Sequence, residues 1–124
     1  MARCTPGACN FFQRVLDLTK KRGHNVVWGR AGFSLRAYSP EDEGYVTFGY
    51  GVPPGEFWFY FYGGVMRTKK VLALRSRLLD FGVFREAGEW TLKAPLTEEN
   101  LAHMNEVYDF ILDRIDKLVT AQPD

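Results

Sequence analysis

Cysteine and histidine are scarce in this chain: Cys4, Cys9, His24 and His103 are the whole supply. Secreted frameworks of this size usually carry more cysteines, and a bridge between residues five apart closes only a small loop. Reduced thiols are therefore expected, with Cys9 packed against the first helix. None of the spacings among the four residues matches a recognised zinc pattern, so no metal is expected. Long apolar runs are also missing. The uncharged stretch Phe57 to Met66 is far too short to span a bilayer. Cys4, Pro6 and Asn10 interrupt the opening segment, so no basic-then-apolar leader is expected. These absences point to a soluble, cytoplasmic protein with no membrane partner. Neither histidine has a Ser or Cys nucleophile near it in sequence, and no Gly-x-Ser-x-Gly elbow occurs. The segment Gly63-Gly-Val-Met-Arg-Thr-Lys-Lys70 lacks the glycine spacing and Lys-Ser/Thr ending of a phosphate-binding loop. No catalytic residue and no cofactor are nominated.

What is present suits one domain over residues 1–124. Of the 124 residues 46% are hydrophobic, 15% aromatic and 25% charged, enough for one core and a wet surface. The net charge of +1 is unevenly spread. Residues 1–94 hold 14 Lys/Arg against 8 Asp/Glu, and residues 95–124 hold 2 against 7. The body is basic and the tail acidic. Either the body meets an anionic partner, or the tail folds onto the body and neutralises it; the second needs no partner and is preferred. The opening Met and the polar Thr120–Asp124 ending fit a whole chain.

Along the chain the hydrophobic period switches between 3.6 and 2. Thr5-Pro6 has the form of an N-cap with proline at the first helical position, and Asn10 to Gln13 the form of a capping box. Phe12, Val15, Leu16 and Thr19 then line one helical face, with Gly23 as a left-handed terminator. Val26 to Trp28 is a short apolar run before a turn at Gly29 to Gly32. Phe33 to Tyr38, Tyr45 to Tyr50 and Glu56 to Tyr62 read as three strands joined by turn-rich links. Thr68 caps a second helix to about Asp80, carrying Val71, Leu72, Leu74, Leu78 and Leu79. A small hairpin around Ala87-Gly88 follows. The last helix opens at Thr97 and carries Leu101, Met104, Tyr108, Ile111, Ile115 and Leu118 in three-four alternation. The expected class is α+β: a three-stranded antiparallel meander plus a small hairpin packed against three helices, in the order αβββαββα.

Two constellations carry chemistry. Residues Phe57 to Tyr62 are six consecutive aromatics. Alternation sends Phe57, Phe59 and Phe61 to one face and Trp58, Tyr60 and Tyr62 to the other. The hydrocarbon rings belong in the core. The polar-tipped rings are either covered by another element, which is the commoner fate of a two-faced aromatic strand, or form a platform for a ligand. The second constellation is basic: Arg67, Lys69, Lys70, Arg75 and Arg77 in eleven residues without an acid. A solvated helix face is the usual reading of such a run, and a phosphate-binding rim the sharper one. Arg36, Tyr38, Trp58, Tyr60, Tyr62, Arg67, Lys69 and Lys70 are the candidate binding residues.

The segment Gly44-Tyr-Val-Thr-Phe-Gly-Tyr50 resembles the aromatic strand of an RNA-recognition motif, although the order of elements differs. The run Val27-Trp-Gly-Arg-Ala-Gly-Phe-Ser-Leu-Arg36 and the helix start Ala94 to Leu101 resemble uncharacterised prokaryotic α+β domains. In those domains a Trp-Gly turn leads into a Gly-Phe-Ser strand, and some accompany nuclease or restriction-type proteins. The resemblance spans Val27 to Leu118 as an order of elements and implies no catalytic residue. Three readings follow. One is a non-catalytic module that binds nucleic acid or protein through an aromatic and basic sheet face. The second is a small-molecule-binding protein or minor enzyme with a pocket beside that face. The third is a homodimer with that face as its interface.

Overall fold

A computed structural model describes residues 4–40, 43–60 and 69–119. Helix α1 (Pro6–Lys21) starts at the first of the two sequence signals. Thr5 Oγ1 accepts the Ala8 amide at 3.2 Å, and Pro6 occupies a position where a missing N–H costs nothing. The helix ends in a Schellman motif. Gly23 takes φ 79°, the His24 amide bonds the Thr19 carbonyl, and the Gly23 amide bonds that of Lys20. Cys4 and Cys9 are joined as a disulfide, which corrects the expectation of reduced thiols. The first turn of α1 brings their Cα atoms to 5.6 Å, inside the range a bridge needs.

Six strands follow: β1 (Asn25–Trp28), β2 (Phe33–Ser39), β3 (Gly44–Val52), β4 (Glu56–Tyr60), β5 (Arg85–Gly88) and β6 (Thr91–Pro95). Helix α2 (Lys69–Leu79) lies between β4 and β5 in sequence, and α3 (Glu98–Val119) ends the description. All pairings are antiparallel, in the order β1-β2-β3-β4-β6-β5. The fold is α+β, with the expected succession of helices and strands. Meander and hairpin form one continuous sheet, and the apolar run at Val26–Trp28 adds an edge strand to it.

The core lies between one sheet face and the helices. Phe57 and Phe59 are buried there, as alternation assigns them, and Phe61 falls outside the described residues. Phe57 meets Phe11 of α1 at 5.7 Å and Tyr108 of α3 at 5.6 Å, both edge to face. Met104, Val107, Tyr108, Ile111, Leu112 and Ile115 bury the α3 stripe, and Val71, Leu74 and Leu78 of α2 join the same core. The acidic tail helix lies against basic α1. Arg14 pairs with Asp109, Arg22 with Asp113 and Asp116, and His24 with Asp116. Much of the acidic charge of the tail is thus spent within the fold.

One irregularity decides what the other sheet face displays. Opposite the step from Leu35 to Arg36, β3 carries an extra residue, because Leu35 pairs with Gly49 while Arg36 pairs with Thr47. This bulge reverses the alternation of β3. Before it Tyr45 and Thr47 point away from the core and Val46 and Phe48 are buried; after it Gly49 and Gly51 are buried and Tyr50 turns outward.

Candidate functional site: the aromatic sheet face

No described residue packs as a layer over the second sheet face, and five aromatic side chains stand on it: Tyr38, Tyr45, Tyr50, Trp58 and Tyr60. Strand register aligns its centre into a single row. Val27 pairs with Ser34, Ser34 with Tyr50, Tyr50 with Trp58, Trp58 with Lys93, and Lys93 with Arg85. The row crosses all six strands, about 24 Å at the usual strand spacing. Apolar and hydroxyl groups occupy one end, rings the middle and cations the other end.

Each ring in the row is held by its neighbours. Tyr50 meets Trp58 edge to face at 6.0 Å and lies tilted against Tyr60 at 5.8 Å. The Trp58 indole N–H donates to Glu56 at 3.0 Å, and the other oxygen of that carboxylate accepts from Arg85 at 2.9 Å. Lys93 sets its ammonium 4.0 Å from the centre of the Trp58 ring, a cation–π contact. Glu56 neutralises Arg85, so among the described residues Lys93, in the row, and Arg36, beside it, bring positive charge to the ring cluster. Away from the row, Tyr38 and Tyr45 form a second pair at 5.6 Å, each about half exposed.

At the β1 end the face opens into a cavity of about 360 Å³. Trp28, Tyr50 and Trp58 supply aromatic walls, and among the described residues Arg36 is the one charged side chain lining it. Two glycines shape this end. A side chain on Gly32, at φ 154°, would strike the Gly51 carbonyl, and one on Gly51 would strike the Phe33 ring. Arg36 is oriented by a relay: its Nε–H donates to Ser34 Oγ at 3.2 Å, and the Ser34 hydroxyl donates to the Val27 carbonyl at 3.4 Å. The terminal guanidinium nitrogens of Arg36 make no hydrogen bond to the described residues.

Protein-family models, curated proteins and solved structures offer no match to this chain.

Of the candidate residues, Arg36, Tyr38, Trp58 and Tyr60 share this one face, and Arg36 and Trp58 share the cavity. Lys69 and Lys70 open α2, with side chains outside the described residues, where Tyr62 and Arg67 also lie. Sequence reasoning missed Tyr50, Tyr45, Trp28 and Lys93. A glycine inside a strand is a known mark of a bulge, so Gly49 held the signal that Tyr50 changes side. Lys93 had none, because its place over Trp58 follows from the non-sequential pairing of β4 with β6. Among the described residues no group of three or more His, Cys, Asp or Glu side chains is placed to hold a metal. None of the described helices is long and apolar enough to cross a membrane.

Proposed function

We propose that this chain is a non-catalytic binding module that receives single-stranded nucleic acid on the sheet face turned away from the described helices. The carrying observation is the ordered row of Tyr50 and Trp58 beside Tyr60, with Lys93 and Arg36 flanking the rings. A single strand offers both groups such a face asks for, flat bases to stack on rings and phosphates to meet cations. Each stacked base contributes about 1–3 kcal/mol and tolerates sequence change, since every base has a π-face. A face-to-face homodimer fits less well, because it would set Arg36 and Lys93 against like charges of a second copy. The cavity beside Arg36 favours a second reading, a small planar ligand with a negative group. The resemblance to prokaryotic domains that accompany nucleases agrees with the first reading, and a cytoplasmic accessory role in nucleic-acid processing is part of the proposal.

Titrating the protein with a twelve-residue oligothymidine at low ionic strength, followed by tryptophan fluorescence, tests the idea. Two phosphate contacts predict that log K falls with log salt at a slope of about −1.4. Trp58→Ala is expected to weaken binding about tenfold or more. Absence of salt-sensitive binding, or full binding by the Trp58→Ala variant, would sink the proposal.

A further inference from the structure

We infer that the cavity at the β1 end is a pocket for one guanine base of the bound strand, read by Arg36. The inference rests on the single-strand reading above. Three observations lead to it. The walls are rings, Trp28, Tyr50 and Trp58, so the occupant that dries them is flat and aromatic. The volume of about 360 Å³ lies at the small end of ligand pockets, which suits one nucleoside-sized group. The third is the state of Arg36. Its Nε–H is committed to Ser34, and Ser34 is committed to Val27. That relay fixes the guanidinium plane and leaves two terminal nitrogens as a fork for an acceptor pair.

The four bases differ in how they answer such a fork. Guanine presents N7 and O6, two acceptors side by side. Adenine presents N7 beside an N–H donor, cytosine a donor, and thymine one acceptor with a methyl group. Only guanine satisfies both arms without setting donor against donor. A bare phosphate also offers paired acceptors, but it would leave the three rings wet. The pocket adjoins Ser34 and Tyr50, two members of the cross-strand row. A strand lying on the row therefore reaches the pocket with one nucleotide unstacked from the rest.

The experiment uses oligothymidines with a single central position changed to guanine, adenine, cytosine or 7-deazaguanine, at low salt, alongside free guanosine monophosphate. The guanine strand should bind about tenfold tighter than the adenine and cytosine strands. Removing N7 in the 7-deaza strand should abolish most of that preference. Arg36→Lys keeps the charge and loses the fork, so it should bind all strands alike at an unchanged melting temperature. Equal affinity for all strands, with oligothymidine still bound, overturns the pocket assignment and leaves the wider reading standing. No binding by any strand removes both. Tighter binding of the free nucleotide than of the guanine strand also overturns the assignment, because the cavity then serves a small molecule.

Discussion

Replacing Tyr108 by Phe removes one hydroxyl from the centre of the core, and the structure says what that hydroxyl does. The Thr19 hydroxyl donates to the Val15 carbonyl one turn back in α1. Its only proton is thus committed, so the Tyr108 hydroxyl, 2.6 Å from Thr19 Oγ1, must be the donor between them. Tyr108→Phe deletes that donor and leaves Thr19 with its bond to Val15, a cost of about 1 kcal/mol. Thr19→Val is the worse change: it leaves a buried phenolic O–H with no acceptor, about 1–3 kcal/mol. In the double variant neither orphan exists, so its cost should fall below the sum of the two by about 1 kcal/mol. Urea unfolding of the four proteins measures these differences as midpoint shifts at constant slope.

Alkaline pH adds a second readout for the same side chain. Burial pushes the Tyr108 phenol well above its ordinary 10. Below pH 10 the phenol is protonated in folded and unfolded chains alike and contributes no slope. Above pH 10 the unfolded chain releases the proton and the folded one keeps it, so stability falls by about 1.4 kcal/mol per pH unit. Tyr108→Phe should lack that part of the decline. An equal alkaline decline in both proteins, or a Thr19→Val variant no less stable than Tyr108→Phe, would refute the reasoning.

Three further outcomes are expected. Gly51→Ala drives a methyl into the Phe33 ring and should cost about 1–3 kcal/mol in urea unfolding; a neutral result would mean that β3 yields there. Opening the Cys4–Cys9 disulfide with the double substitution to Ser should cost at most about 2 kcal/mol, since so short a loop restricts the unfolded chain little, and thermal unfolding with and without reductant gives the same comparison. Lys93→Gln should reduce the salt slope of oligothymidine binding by about 0.7, one phosphate contact, and a slope equal to that of the parent protein would take Lys93 out of the interface.

Where local pattern and fold coincide, the sequence is readable in advance. The three-four alternation from Leu101 to Leu118 marks α3, because a single helix face explains it and nothing distant is needed. Alternation likewise places Phe57 and Phe59 inside. Legibility fails where a residue's position depends on pairing. Val26 to Trp28 is too short to show a period, and it becomes a strand only because β2 lies beside it. Tyr50 follows the wrong phase until the bulge is seen. The disulfide hides for another reason: two cysteines are too few to suggest a framework, yet one helical turn suffices to join them. The row across the face is the least visible feature, since it needs the register of five strand pairs at once.

The extra residue in β3 makes that strand two half-strands of opposite phase. Paired without that bulge, the same residues would exchange contents between the hidden and the offered side, with Gly49 opposite Ser34 and Tyr50 opposite Phe33. Tyr50 would be driven toward the place where Phe33 and Phe57 already pack, and a glycine would take its station beside Trp58. The face would lose its central ring though no residue of the face had been altered. The display of Tyr50 thus hangs on how β3 is paired as much as on the kinds of residue it carries.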